Sequence, residues 1–189
     1  MLRPLVSRLA ALGVSANQVT LGACLLSLLT GGLIAWQPHE PRLLFLIPVV
    51  MVARMALNAV DGMLAREHNM KTPLGAILNE LTDVISDAAL ILPFCLVNGF
   101  SPAWVVALVW LAALGEMTGV VGVQIGASRR YDGPLGKSDR AFVFGLLALL
   151  LGFGVPLEAW LTPILVLLCF LAAVTVVNRA VKALGELDS

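Results

Sequence analysis

The sequence predicts an all-α, polytopic membrane protein. Three observations carry that prediction. Of the 189 residues, 59% are hydrophobic and only 13% are charged, against about 25% charged in an ordinary soluble domain. Apolar stretches of spanning length recur along the chain, separated by short segments rich in Pro, Gly, Asn and charge. Lys and Arg gather at one end of those stretches. The formal net charge is zero, which gives no basis for nucleic-acid binding. Cys24, Cys95 and Cys169 all fall in apolar segments without metal-ligand spacing and read as small buried hydrophobes.

The elements follow in order. Residues 1–16 place Arg3 and Arg8 among Leu2, Leu5, Val6, Leu9, Leu12 and Val14, the pattern of an amphipathic helix lying in the membrane interface. Residues 17–184 then form a six-helix bundle, and 1–189 read as one domain. The first spanning helix covers about Gln18 to Trp36, capped by Ser15 or Asn17. After the breaker Gln37-Pro38-His39-Glu40-Pro41, the second runs from about Arg42 to Arg66, and the third from Leu74 to Val97. The fourth, Ala103 to Ala127, carries Gly115, Gly119, Gly122 and Gly126, a small-residue seam suited either to packing within the chain or to a homodimer contact. The fifth runs from Ser138 to Gly154. Pro156 and Pro163 bracket the last turn, and the sixth helix continues to about Leu184. Ten of the twelve Lys and Arg, Arg140 and Arg179 among them, fall on one side of this arrangement. The positive-inside rule then puts both termini in the cytoplasm, consistent with a bacterial inner (plasma) membrane.

Polar residues interrupt the apolar pattern most densely between Asn58 and Asp87. On helices, Asn58, Asp61, Gly62 and Ala65 share one face of the second span. Gly75, Asn79 and Asp83 share one face of the third, with Asp87 a turn further on. Counting about 1.5 Å per residue, Asp61 and Asn79 lie at one depth, and Asn58 and Asp83 at another slightly deeper. Facing each other, these stripes make an oxygen-lined pocket near the cytoplasmic headgroup boundary. Carboxylate and amide oxygens suit a hard cation such as Mg²⁺ or Mn²⁺. Arg66 sits at the mouth, where a guanidinium grips phosphate. Arg54 and Asp87 share a third depth, which predicts a buried ion pair.

The stretch N-A-V-D-G-M-L-A-R, eight residues, then G-A-I-L-N-E-L-T-D resembles the signature of the CDP-alcohol phosphatidyltransferases, D-x2-D-G-x2-A-R-x8-G-x3-D-x3-D. Asp61, Gly62, Ala65, Arg66, Gly75 and Asp83 match it. Asn58 and Asn79 stand where the pattern has aspartates. The resemblance implies a six-helix fold and transfer of a phosphatidyl group from a CDP-linked lipid to a polar alcohol, with release of CMP. It further implies that Asn58, Asp61, Asn79 and Asp83 hold the metal and that Asp83 acts as general base beside Asp61. Gly62, Ala65, Arg66 and Gly75 would hold the CDP portion. The segment Gly136-Lys137-Ser138-Asp139-Arg140 resembles basic acceptor-site segments of some members, which offers Lys137 and Arg140 to the acceptor; capping of the fifth helix by Ser138 or Asp139 reads the same residues equally well. Two other functions use the same residues: a family relative impaired in catalysis with a scaffolding role, and an ion- or proton-coupled transporter.

Overall fold

The computed structural model describes residues 2–187 and is helical throughout, with no strand among them. Met1, Asp188 and Ser189, the ends of the predicted domain, lie outside the described residues. Seven α-helices follow one another: α1 (Arg3–Ala11), α2 (Ala16–Trp36), α3 (Leu46–Glu67), α4 (Pro73–Ile91), α5 (Pro102–Gln124), α6 (Lys137–Gly152) and α7 (Glu158–Leu187). Among the described residues four segments are long and apolar enough to cross a membrane: Ala16–Trp36, Pro41–Glu67, Pro102–Gln124 and Glu158–Leu187. Large apolar side chains such as Leu25, Leu29, Val52, Trp110, Phe142 and Phe170 lie exposed on the outside of the bundle. So much exposed apolar surface belongs against lipid rather than water, and the chain is an integral membrane protein.

Caps set the helix starts. Ser15 and Gln18 form a reciprocal capping box on α2. The Thr72 hydroxyl accepts from Gly75 N at 2.9 Å at the start of α4. At α6 the Asp139 carboxylate accepts from Gly136 N at 2.7 Å.

Prolines revise several predicted boundaries. The second helix does not begin at Arg42; Pro41–Phe45 is a 3-10 turn and α3 starts at Leu46. Pro48 has no N–H to donate to Leu44, so an α-helix begun earlier would lose that bond, whereas Pro is tolerated in a first turn. The third helix stops at Ile91 and continues as a 3-10 turn, Leu92–Leu96. There Pro93 cannot donate to the Ala89 carbonyl. Gly31 of α2 packs onto that carbonyl so closely that an added Cβ would lie 1.9 Å from its oxygen. The last helix begins at Glu158, before Pro163 rather than after it, and absorbs the missing bond in its second turn.

α2 packs against both α3 and α4, α3 against α6, and α5 against α7. One core cluster gathers around Phe94, Phe100 and Phe144, with Phe94 and Phe144 edge to face at 5.1 Å. A second cluster seats α1, through Val6, against Ala16, Val19, Val60 and Leu64. The glycine seam of α5 is filled from within the chain. Gly115 faces Val176 and Arg179, Gly122 faces Ala183, and a Cβ on Gly119 would lie 1.5 Å from the Arg129 guanidinium. Of the two readings of that seam, the structure carries the intrachain one.

Candidate functional site

α3 and α4 do not close on each other directly. Both pack on α2, and between them a cavity of about 610 Å³ opens toward the Met70-Lys71-Thr72 connection. Its walls carry all eight signature positions: Asn58, Asp61, Gly62, Ala65, Arg66, Gly75, Asn79 and Asp83. Helical spacing puts the five on α3 along one stripe and the three on α4 along another, and the shared contact with α2 turns the stripes toward a common space. The glycines keep the walls thin. A Cβ on Gly62 would meet the Arg66 guanidinium at 3.2 Å, and one on Gly75 would meet Asn17 Oδ1 at 2.8 Å. Arg66 thus lies folded along its own helix over Gly62, on the cavity wall.

The two carboxylates of the cavity differ. Asp61 is 5% exposed, and its Oδ2 accepts from the Thr20 hydroxyl at 2.6 Å. Among the described residues it forms no ion pair within 4.0 Å. Asp83 is surrounded by donors. Its Oδ1 accepts from Asn58 Nδ2 at 3.2 Å and from the Lys137 ammonium, and Arg54 Nη2 lies 3.8 Å away. Its Oδ2 carries no hydrogen bond among the described residues. Asn58 and Asp83 therefore meet at the common depth expected of them.

One level deeper the charges form a closed network. Arg54 Nη1 donates to Asp87 Oδ1 at 2.9 Å, and Arg140 Nη2 donates to Asp87 Oδ2 at 2.8 Å. Arg140 also lies 3.6 Å from Glu116. Glu116 in turn accepts from Arg129 at 3.0 Å and lies 3.3 Å from Arg179, while Arg129 reaches on to Glu80 at 2.8 Å.

This network corrects two expectations. Arg140, offered to the acceptor on resemblance, is 3% exposed and spends its guanidinium on Asp87, Glu116 and the Leu135 carbonyl. It lines no part of the large cavity. Arg179, counted among the charges that orient the chain, is 2% exposed and donates to Gly115 O at 2.6 Å. Arg140 and Arg179, like Arg129 in the same network, are thus ion-pair partners within the protein. Lys137 does face the site, touching Asp83 and lining a smaller cavity of about 200 Å³ with Arg54, Asn58, Asp87 and Ser138.

Sequence reasoning missed Thr20, Asn17 and Lys71 on the cavity wall. Thr20 is one hydroxyl in an apolar helix and carries no signal of its own. Glu116, ionisable within a spanning segment, has the sequence signal of a buried charge in search of a partner; Arg179, near a helix end, does not.

The donor set fits a hard divalent cation. Two carboxylates and three side-chain amides, those of Asn17, Asn58 and Asn79, line one cavity, and Asp61 is buried with no ion pair within 4.0 Å among the described residues. Among the described residues no three His, Cys, Asp or Glu side chains gather as metal ligands. The side chains of Asn58 and Asn79 stand on the same wall as the two acids.

Comparison with known proteins agrees with this geometry. The chain is 49% identical over 149 residues to the inner membrane protein YnbA of Escherichia coli K12, covering 79% of this chain and 74% of that protein. Its fold resembles that of Mycobacterium tuberculosis phosphatidylinositol phosphate synthase PgsA1. Against PgsA1 in complex with manganese and citrate the TM-score is 0.77 at 20% identity, covering 97% of this chain and 88% of that one. Against PgsA1 with CDP-DAG bound it is 0.72 at 22% identity, covering 97% and 91%. The sequence profile of the CDP-alcohol phosphatidyltransferases matches residues 14–175, and the chain belongs to that family.

Proposed function

We propose that this protein transfers a phosphatidyl group from CDP-diacylglycerol, or a similar CDP-linked lipid, to a polar alcohol and releases CMP. The observation that carries the reading is the convergence of all eight signature positions on one cavity at the end of the bundle. The PgsA1 complex with CDP-DAG supports the donor, and the manganese complex supports a divalent ion. In this reading residues 1–189 are one catalytic domain of six spans, in which α4 and α6 cross the bilayer beside the four longer segments. α1 lies in the interface, and both termini are cytoplasmic in a bacterial inner membrane.

The chemistry is displacement at phosphorus. The alcohol oxygen attacks the phosphorus on the lipid side of the pyrophosphate, and the bond from that phosphorus to the bridging oxygen breaks, so the pair of electrons leaves with CMP. Asp83 Oδ2, which carries no hydrogen bond among the described residues, takes the proton of the attacking hydroxyl. Asp61, with the amide oxygens of Asn58 and Asn79, would hold a Mg²⁺ or Mn²⁺ ion that polarises the pyrophosphate and stabilises the departing phosphate. Arg66 and Lys71 at the mouth offer charge to the CDP phosphates, and the glycines at 62 and 75 leave room for the nucleotide. Lys137, beside Asp83, reaches the space from which the alcohol must come. A transporter would bind near the bilayer midplane between broken helices. This cavity instead opens at a helix end between two helices unbroken through the site.

Purified protein with CDP-diacylglycerol, Mn²⁺ or Mg²⁺ and a panel of alcohols should release CMP and yield one new phospholipid by mass spectrometry. Absence of CMP with every alcohol would favour the impaired relative, the reading that Asn58 and Asn79 support. For topology, single cysteines at Lys71 and Glu40 should label from opposite sides, Lys71 from the cytoplasm; labelling of both from one side breaks the six-span arrangement.

A further inference from the structure

We propose that this chain holds one divalent cation, on Asp61, and that Lys137 supplies from the protein itself the positive charge that a second cation would bring to Asp83. The inference rests on the transferase reading for the presence of a metal, but not for the number of ions or their position.

Two features of Asp83 point this way. Its Oδ1 already receives the Lys137 ammonium and Asn58 Nδ2, with Arg54 Nη2 at 3.8 Å. That Arg54 nitrogen is buried and makes no hydrogen bond among the described residues, and its guanidinium, bonded through Nη1 to Asp87 at 2.9 Å, lies between the two carboxylates. A divalent ion on this oxygen would have to displace an amide N–H and stand against two fixed cations in a poorly screened setting. The second feature is the substitution itself. A carboxylate only accepts hydrogen bonds, and an amide can donate. Two aspartates at 58 and 83 would repel unless a cation bridged them. Asn58 and Asp83 join directly, without one.

Asp61 has the opposite environment. It is nearly as buried as Arg54, yet the donors it meets, the Thr20 hydroxyl and the Gly62 backbone N–H, are neutral, and no ion pair within 4.0 Å offsets its charge among the described residues. A buried carboxylate without compensation is costly. The cavity beside it, with Asn58 and Asn79 on the wall, is where compensation can enter.

The test is Mn²⁺ titration of the full chain in detergent, without nucleotide, by calorimetry and by electron paramagnetic resonance of the bound ion. One Mn²⁺ per chain is expected. Asp61→Asn should abolish binding, and the double variant D83N/K137M, which removes both members of the neighbouring pair, should keep the ion. Lys137→Met should bind Mn²⁺ about tenfold more tightly or take a second ion, since a fixed like charge is gone; Lys137→Arg, which keeps the charge, should do neither. The variant N58D/N79D/K137M should take two ions with an exchange-coupled spectrum. Two ions in the unmodified chain, no ion at all, or loss of the ion in D83N/K137M overturns the proposal, as does equal Mn²⁺ binding in Lys137→Met and Lys137→Arg. One bound Mn²⁺ without CMP release would leave the inference standing and remove the transferase reading.

Discussion

Asp87 and Asp61 lie on neighbouring helices of one bundle and live in opposite electrostatic surroundings. Asp87 has an arginine on each oxygen, Arg54 at 2.9 Å and Arg140 at 2.8 Å. Asp61 has a threonine. A charge taken from water must be compensated or neutralised. Around Asp87 and Glu116 the compensation is internal, so those residues need nothing from outside and serve to fix α3, α4, α5, α6 and α7 relative to one another. At Asp61 it is missing, and the cavity lies there. Within this protein, then, buried charge alone does not identify the site; buried charge without an internal partner does.

The sharpest way to break that comparison is to remove each acid in turn and read activity and stability separately. Asp61→Ala should lower CMP release by about a thousandfold or more, since a metal's stabilisation of transition-state charge is worth several kcal/mol. Its melting temperature in detergent should not fall. No cation is stranded, and the Thr20 hydroxyl still has the Ala16 carbonyl at 3.1 Å. Full activity in this variant would take Asp61 out of the mechanism. A large drop in melting temperature would show that its burial is compensated after all.

Asp87→Ala should do the reverse and fail mainly in stability. It leaves Arg54 and Arg140 buried and facing one another without their shared acid, and breaking such an arrangement costs about 3–5 kcal/mol. The loss in R54M/D87L should be well short of the sum of the Arg54→Met and Asp87→Leu losses, since no carboxylate is left to strand. Strictly additive losses in thermal denaturation would show that the two residues do not act as a pair.

A smaller effect tests the frame that holds both acids. α2 reaches α4 through Gly31, whose added methyl would overlap the Ala89 carbonyl. Gly31→Ala should destabilise by about 1–3 kcal/mol, the usual penalty for overpacking. It should also weaken lipid-substrate binding, because α2 supports both walls of the cavity. Gly32, next in sequence, has open space around its Cα, so Gly32→Ala serves as the control.

How far these environments could be read from the sequence follows from the same contrast. The α3 and α4 stripes are local periodicities, so the positions of Asn58, Asp61, Asn79 and Asp83, and the common depth of Arg54 and Asp87, needed only helical counting. The approach of α6 and α7 was not legible. Arg140 and Arg179 sit in sequence where a snorkelling arginine at a helix end would sit, and nothing in their neighbours says that the side chain turns inward. Lys137 reads in the sequence as an acceptor residue by resemblance or, equally, as cytoplasmic charge, and neither reading puts its ammonium on Asp83. The helix ends moved where proline deleted a specific bond, at Pro48 and Pro93, a constraint visible in the sequence but outweighed in the prediction by unbroken hydropathy.

The weakest of the compensated charges gives the finest test. Asp132, in the connection between α5 and α6, accepts from Lys182 Nζ at 2.6 Å and lies 3.9 Å from Arg130. The hydrogen bond from Lys182 holds its carboxyl below the usual aspartate range. A carboxyl lowered in this way stabilises the folded state above its unfolded value near about 3.9, and that stabilisation disappears as pH falls through the folded value. The partners are solvated, with the Lys182 side chain 57% exposed, so salt should screen the effect. Asp132→Asn should therefore lower the melting temperature slightly at pH 6 to 7 in low salt. The difference from the unmodified chain should close below about pH 4, and at neutral pH it should shrink in high salt. A difference that persists unchanged at pH 3 would mean that the carboxylate charge is not what Asp132→Asn removes, since the backbone carbonyl that accepts from Arg179 Nε at 3.3 Å is the same with either side chain.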